Sequence, residues 1–148
     1  MNNTSPDAVM IVATVDTPEG RKVAVTKEYR VPIRGYEYGF PAGLIDPGDT
    51  MEKTVEKELK EETGLSLVKI VGKSGEIVSS AGLSDESVVV FFVEAGGELS
   101  EKYQEDVEDI SVSLYDIDDV RNLISSDKKI GAKGWGVLYH YSKIGRIE

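Results

Sequence analysis

Two rhythms of apolar and polar residues alternate along the chain. AVMIVATV (8–15) is an almost unbroken β-branched run and predicts a buried strand. DTPEG (16–20) turns, and RKVAVTKEY (21–29) alternates, so the pair predicts a hairpin. EYGFPAGLID (37–46) is cut by glycine and proline into short extended pieces. LVKIVGKSGEIV (67–78) and ESVVVFFVEA (86–95) predict two more strands. After the loop GGELSEKYQED, DISVSLYDI (109–117) alternates as a half-buried strand does. Asp116 or Asp118 then caps a short helix over 119–125. Val137, Leu138, Tyr141 and Ile144 recur at helical spacing near the C-terminus, with Trp135 and His140 expected to pack structurally. The elements predict an α/β chain: an antiparallel-rich mixed sheet with helices on its faces.

The segment GLIDPGDTMEKTVEKELKEETGL (43–65) predicts a turn and then a helix. Asp49 begins the helix, with Glu52 three residues on completing a capping box, and Gly64 ends it. At about 100° per residue, Met51, Val55 and Leu59 form the stripe that packs on the sheet. Glu58 and Glu62 fall on that same stripe, while Lys53, Lys57 and Lys60 cluster opposite, facing water. A solvated acidic helix places its carboxylates among its lysines. Two glutamates four residues apart on a buried edge repel and resist ionising unless something neutralises them. A hard divalent cation, Mg²⁺ or Mn²⁺, does so with oxygen ligands alone. Glu61 flanks Glu58 by about 60° and can reach the same ion directly or through water.

Length and composition narrow the setting. The chain has 148 residues, 40% hydrophobic and 30% charged, without repeats or a linker, so one domain over 1–148 is expected. There is no cysteine, hence no disulfide and no thiolate metal site, and the single histidine disfavours a nucleophilic triad. The start carries no secretory signal and no apolar run is long enough to span a membrane, so a cytoplasmic, membrane-free protein is expected. A net charge of −10 makes bare nucleic acid a poor partner. The acids are concentrated: residues 94–119 hold ten acids against Lys102 alone.

In its spacing the 43–65 segment resembles the Nudix box, G-x5-E-x7-R-E-U-x-E-E-x-G-U with U aliphatic. Gly43, Glu58, Leu59, Glu61, Glu62, Gly64 and Leu65 are in register. Asp49 stands where the family has glutamate and Lys57 where it has arginine. Both keep their charge, so a Lys57–Asp49 contact can still brace the loop, though without the planar fork of arginine. The resemblance implies the Nudix fold, an α/β/α sandwich around a mixed, largely antiparallel sheet. It implies hydrolysis of a nucleoside diphosphate linked to another moiety. It also implies Glu58 and Glu62 as metal ligands, Glu61 as a direct or water-mediated one, and the carbonyl of Ala42 completing the sphere.

Outside the box, EYRVPIRGYEYGFPAGLID is similar to the Q-Y-R-x-P and E-x-P-A-G stretches of the ADP-ribose pyrophosphatase branch. Tyr29, Arg30, Pro32, Pro41, Ala42 and Gly43 match. Gly39 replaces the glutamate, and Glu37 lies nearby but out of register. SSAGLSDE (79–86) is similar to the branch's S-P-G-x-[ST]-x-E loop and brings in Glu86. EDVEDISV (105–112) is similar to its acidic pair, which implies Glu108 as a fourth metal ligand and Asp106 or Glu105 as the base that activates water. Dimeric members carry an N-terminal domain that helps bind adenine. Here the first strand begins near residue 8, so that domain is expected to be absent and adenine is expected on Tyr29, Tyr36, Tyr38 or Phe40. Arg30 is expected to clamp a phosphate. The implied substrate is a small nucleotide, ADP-ribose or an ADP-sugar, cleaved to AMP and a sugar phosphate. Hydrolysis of nucleoside triphosphates, dinucleoside polyphosphates or NAD-like compounds, or nucleotide sensing without turnover, remains the alternative, and the sequence leaves a homodimer open.

Overall fold

The computed structural model describes residues 5–104 and 109–146. Eight strands form one mixed sheet: β1 (Ala8–Thr17), β2 (Gly20–Arg30), β3 (Gly35–Gly39), β4 (Ala42–Leu44), β5 (Ser66–Val78), β6 (Ser87–Gly96), β7 (Ile110–Tyr115) and β8 (Lys129–Ile130). Among the described residues three helices flank it: α1 (Met51–Thr63), α2 (Ile117–Ile124) and α3 (Ala132–Ile144). β1 and β6 run parallel, as do β3 and β8, and the remaining pairings are antiparallel.

β1 is the spine because it is buried on both faces. Val9, Ile11, Ala13 and Val15 pack with Val55 and Leu59 of α1. Ala8, Met10 and Val12 pack with Val120, Leu123, Leu138 and Tyr141 of α2 and α3. A strand covered on both sides loses the polar alternation of a half-exposed one, which is why 8–15 reads as a continuous apolar run. Each fully buried valine or isoleucine contributes about 1.5–3 kcal/mol, so this strand carries much of the stability.

The sheet forks, and the fork positions the site. β1 bonds to β2 only through Thr14–Thr17 against Gly20–Val23. Beyond that point β3 takes over the edge of β2 along Thr26–Arg30. β4 takes over the edge of β1 along Ala8–Met10. The chain crosses the gap through Phe40 and Pro41, whose carbonyl accepts from Ile11 N–H at 2.7 Å. The Gly/Pro-punctuated 37–46 stretch thus serves two strands, one on each arm.

Several expectations shift. The N-cap of α1 is Thr50, whose hydroxyl accepts from Lys53 N–H at 3.1 Å, so the box from Asp49 to Glu52 does not form. Asp49 is engaged instead by Lys53 at 3.2 Å. Gly64 closes the helix in the left-handed conformation at φ 80°, as expected. The second helix starts two residues earlier than 119, because Asp116 and Asp119 form a reciprocal capping box. Lys57 and Lys60 are half-buried rather than facing water: Lys57 reaches the preceding loop and Lys60 bonds the Gly64 carbonyl. Trp135 is exposed and stacks on Tyr139, one helical turn on, and Ile144 is also exposed. The two-residue β8 and the 3-10 turn Val31–Ile33 are too short for periodicity to reveal. Among the described residues no helix is long and apolar enough to cross a membrane.

Candidate active site

A cleft of about 510 Å³ opens in the fork. Thr26, Glu28 and Arg30 line it from β2, Glu37 and Gly39 from β3, and Ala42 to Leu44 from β4. Glu62 enters from α1, Ser79 and Glu86 from the turn between β5 and β6, and Gly131 to Gly134 from the start of α3. Phe40 lines it too.

The acidic helix is seated on β4. Glu62 is only 8% exposed, and its Oε2 accepts from Ala42 N–H at 3.2 Å. One turn earlier, the side chain of Glu58 lies against the Cα of Gly43, where any Cβ would overlap its Cγ and Cδ. The glycine that opens the box is therefore required by close approach, not by its φ. Glu58 and Glu61 are half-buried and stand outside the cleft lining. Lys57 braces the loop as a cation should: its Nζ is 2.5 Å from Asp46 Oδ2 and 3.9 Å from Asp49 Oδ2. The bond to Asp46 raises the Lys57 pKa, partly opposed by desolvation. The bracing foreseen for Asp49 is thus shared, with Asp46 holding the shorter contact.

Two glutamates on successive turns, both against the β4 backbone, offer the oxygen-only donors that suit a hard divalent ion. Among the described residues no three acidic or histidine side chains converge as a ready-made ion site. Glu105, Asp106 and Glu108 lie outside the described residues. Their flanks, however, are tied to the site walls. Gln104 Nε2 donates to the Glu62 carbonyl at 2.9 Å, and Ser100 N–H donates to Thr63 O at 2.8 Å. On the far side, Asp109 O accepts from Tyr29 N–H at 3.1 Å, and Asp109 Oδ2 accepts from the Tyr36 hydroxyl at 3.1 Å. That last bond raises the Tyr36 pKa.

Period-two alternation separates the aromatic residues. Thr26, Glu28 and Arg30 face the cleft, so Lys27 and Tyr29 face the other way. Tyr29 and Tyr36 pair edge-to-face with centroids 5.6 Å apart, outside the cleft lining, and Lys27 lies over the Tyr36 ring. Tyr38 is buried in the core. Of the aromatics expected to meet a base, Phe40 alone lines the cleft.

Sequence reasoning passed over Glu28, Thr26, Ser79 and Lys133, which also line the cleft, and set Glu37 aside as out of register. Alternation was the available signal for Glu28 and Glu37: each sits two residues from a singled-out position, Arg30 and Gly39, on the same pleat face. Lys133 had no signal, because only tertiary packing brings the first turn of α3 to the fork.

The model of the NUDIX domain matches residues 4–133. The ADP-ribose pyrophosphatase of Bacillus subtilis (strain 168) is 33% identical over 129 residues, covering 86% of this chain and 68% of that one. A Caenorhabditis elegans protein named as a nudix hydrolase is 36% identical over 97 residues, covering 66% of this chain and 44% of its own. The chain thus spans less than half the length of that relative. A crystal structure of an ADP compounds hydrolase superposes with a TM-score of 0.75 over 99% of this chain and 78% of that one. At 24% identity that likeness establishes the fold.

Proposed function

Because the chain belongs to the NUDIX family, we propose that it is a metal-dependent pyrophosphohydrolase that cleaves the diphosphate of ADP-ribose or an ADP-sugar to AMP and a sugar phosphate. The observation that carries this reading is the seating of Glu62 and Glu58 on Ala42 and Gly43, both of which line the cleft. A buried carboxylate is retained at such a cost when it serves a ligand. The similarity to an ADP-ribose pyrophosphatase over 86% of the chain supports the substrate class.

Glu58, Glu62 and Glu108 would hold the cation, Mg²⁺ or Mn²⁺, with Glu61 and the Ala42 carbonyl beside them. The cation supplies Lewis acidity toward the diphosphate. The remaining work falls to the chain. Arg30 pairs with phosphate oxygens, Phe40 and Glu86 contact the rest of the substrate, and a carboxylate from Glu105 or Asp106 takes the proton of the attacking water. Water adds to one phosphorus, the bridging P–O bond breaks, and AMP and ribose 5-phosphate leave. Gln104, bonded to the Glu62 carbonyl, and Ile110, which lines the cleft, support assigning the 105–108 acids to this site. Tyr29 and Tyr36 serve here by anchoring Asp109. The same reading includes a cytoplasmic location. It also allows a homodimer, which the exposed Val68, Val71 and Val78 on the edge strand β5 would support and sedimentation would test.

The testing experiment is product analysis with Mg²⁺ across ADP-ribose, ADP-sugars, nucleoside triphosphates, dinucleoside polyphosphates and NAD. AMP released preferentially from ADP-ribose or an ADP-sugar is expected. Preference for triphosphates, or binding without products, would overturn the reading.

A further inference from the structure

Glu28 and Glu37 stand directly opposite each other on β2 and β3. Like charges in that position destabilise a sheet. Both line the cleft; Glu28 stands where the Q-Y-R-x-P stretch has glutamine, and Glu37 lies out of register with the E-x-P-A-G glutamate. What makes the pair tolerable is Arg30, two residues along the same face from Glu28. Its Nε donates to Glu37 Oε1 at 3.3 Å, and its Nη2 lies 3.0 Å from Glu28 Oε2. Glu37 is itself wedged: a Cβ on Gly131, at the start of α3, would come within 3.3 Å of its carboxylate carbon. The guanidinium is therefore held at Nε by Glu37 and at Nη2 by Glu28.

We infer that Glu28 and Glu37 are positioning residues: they fix the plane of the Arg30 guanidinium where it meets the diphosphate of the substrate. This rests on the proposed diphosphate chemistry and deepens it. A flexible arginine would lose rotamer entropy on binding phosphate, whereas one already gripped has lost it beforehand. Glu28 and Glu37 repel each other across the strand pair, and Arg30 contacts both.

The test is calorimetric binding of ADP with Mg²⁺, which needs no turnover, alongside KM and kcat on the best substrate of the panel. Glu37→Leu is expected to weaken ADP binding about 10-fold and to raise KM more than it lowers kcat. Glu37→Gln keeps an acceptor for Nε and should recover most of that loss. Both variants should melt at or above the wild-type temperature. In an Arg30→Ala background, Glu37→Leu should add nothing, since its effect passes through Arg30. Unchanged or tighter ADP binding in Glu37→Leu would overturn the inference, as would an equal loss in the Arg30→Ala background. If wild type binds ADP through Arg30 yet hydrolyses no ADP-sugar, the proposed function fails while the positioning role stands.

Discussion

At the scale of single residues, the decisive contacts are those a side chain makes with backbone. Gly43 carries no side chain because Glu58 occupies that space. Gly43→Ala should push the flexible Glu58 carboxylate aside. An activity loss of about 10-fold or more is expected with a nearly unchanged melting temperature, read by matched kinetics and thermal melts. Tyr141 shows a different kind of burial: it is 1% exposed, and its hydroxyl donates to Arg21 O at 3.3 Å. Desolvation raises its phenol pKa, with the charge of Asp116 adding to it and that of Arg21 opposing it. A raised folded pKa means its contribution is complete below the ordinary tyrosine value of about 10 and is lost as pH climbs through the folded value. Tyr141→Phe should cost about 1 kcal/mol at neutral pH and flatten the alkaline fall in melting temperature. An unaltered alkaline limb would show that Tyr141 does not contribute to it.

At the scale of elements, α1 was the most legible part of the sequence. The angular positions of Glu58 and Glu62 relative to Val55 and Leu59 need only helical geometry, and both leucine and valine are fully buried as that geometry requires. Its start was misplaced by one residue because Asp49 and Thr50 are both competent caps, and the contact of Lys53 with Asp49 decides between them only in three dimensions. The end is doubly fixed. Gly64 has φ 80°, and a Cβ there would come within 2.6 Å of Ser100 N. Gly64→Ala should therefore destabilise the protein by about 1–3 kcal/mol, measured by urea unfolding. The fork was not legible. Nothing local in EYGFPAGLID says that its first half pairs with β2 and its second with β1, since strand partners are a long-range property. Tyr29 and Tyr36, expected to meet a base, stand outside the cleft lining because they alternate with Glu28, Arg30 and Glu37.

At the scale of the whole molecule, a chain of net charge −10 is proposed to bind an anion. A cation held by the α1 glutamates resolves that conflict locally, so metal and nucleotide should stabilise the fold together. At about 100 times its dissociation constant, a ligand specific to the native state adds about 2.7 kcal/mol, or roughly 5–10 °C for a chain of this size. Mg²⁺ with AMP should produce that shift in the wild type, and EDTA should remove it. The most direct measurement is the rate at which AMP appears from ADP-ribose with Mg²⁺, compared between wild type and a folded Glu62→Gln protein. Turnover by wild type and a fall of about 100-fold or more in the variant are expected. Full activity in Glu62→Gln, or no AMP from the wild type, would contradict the assignment of this cleft as a diphosphate hydrolase site.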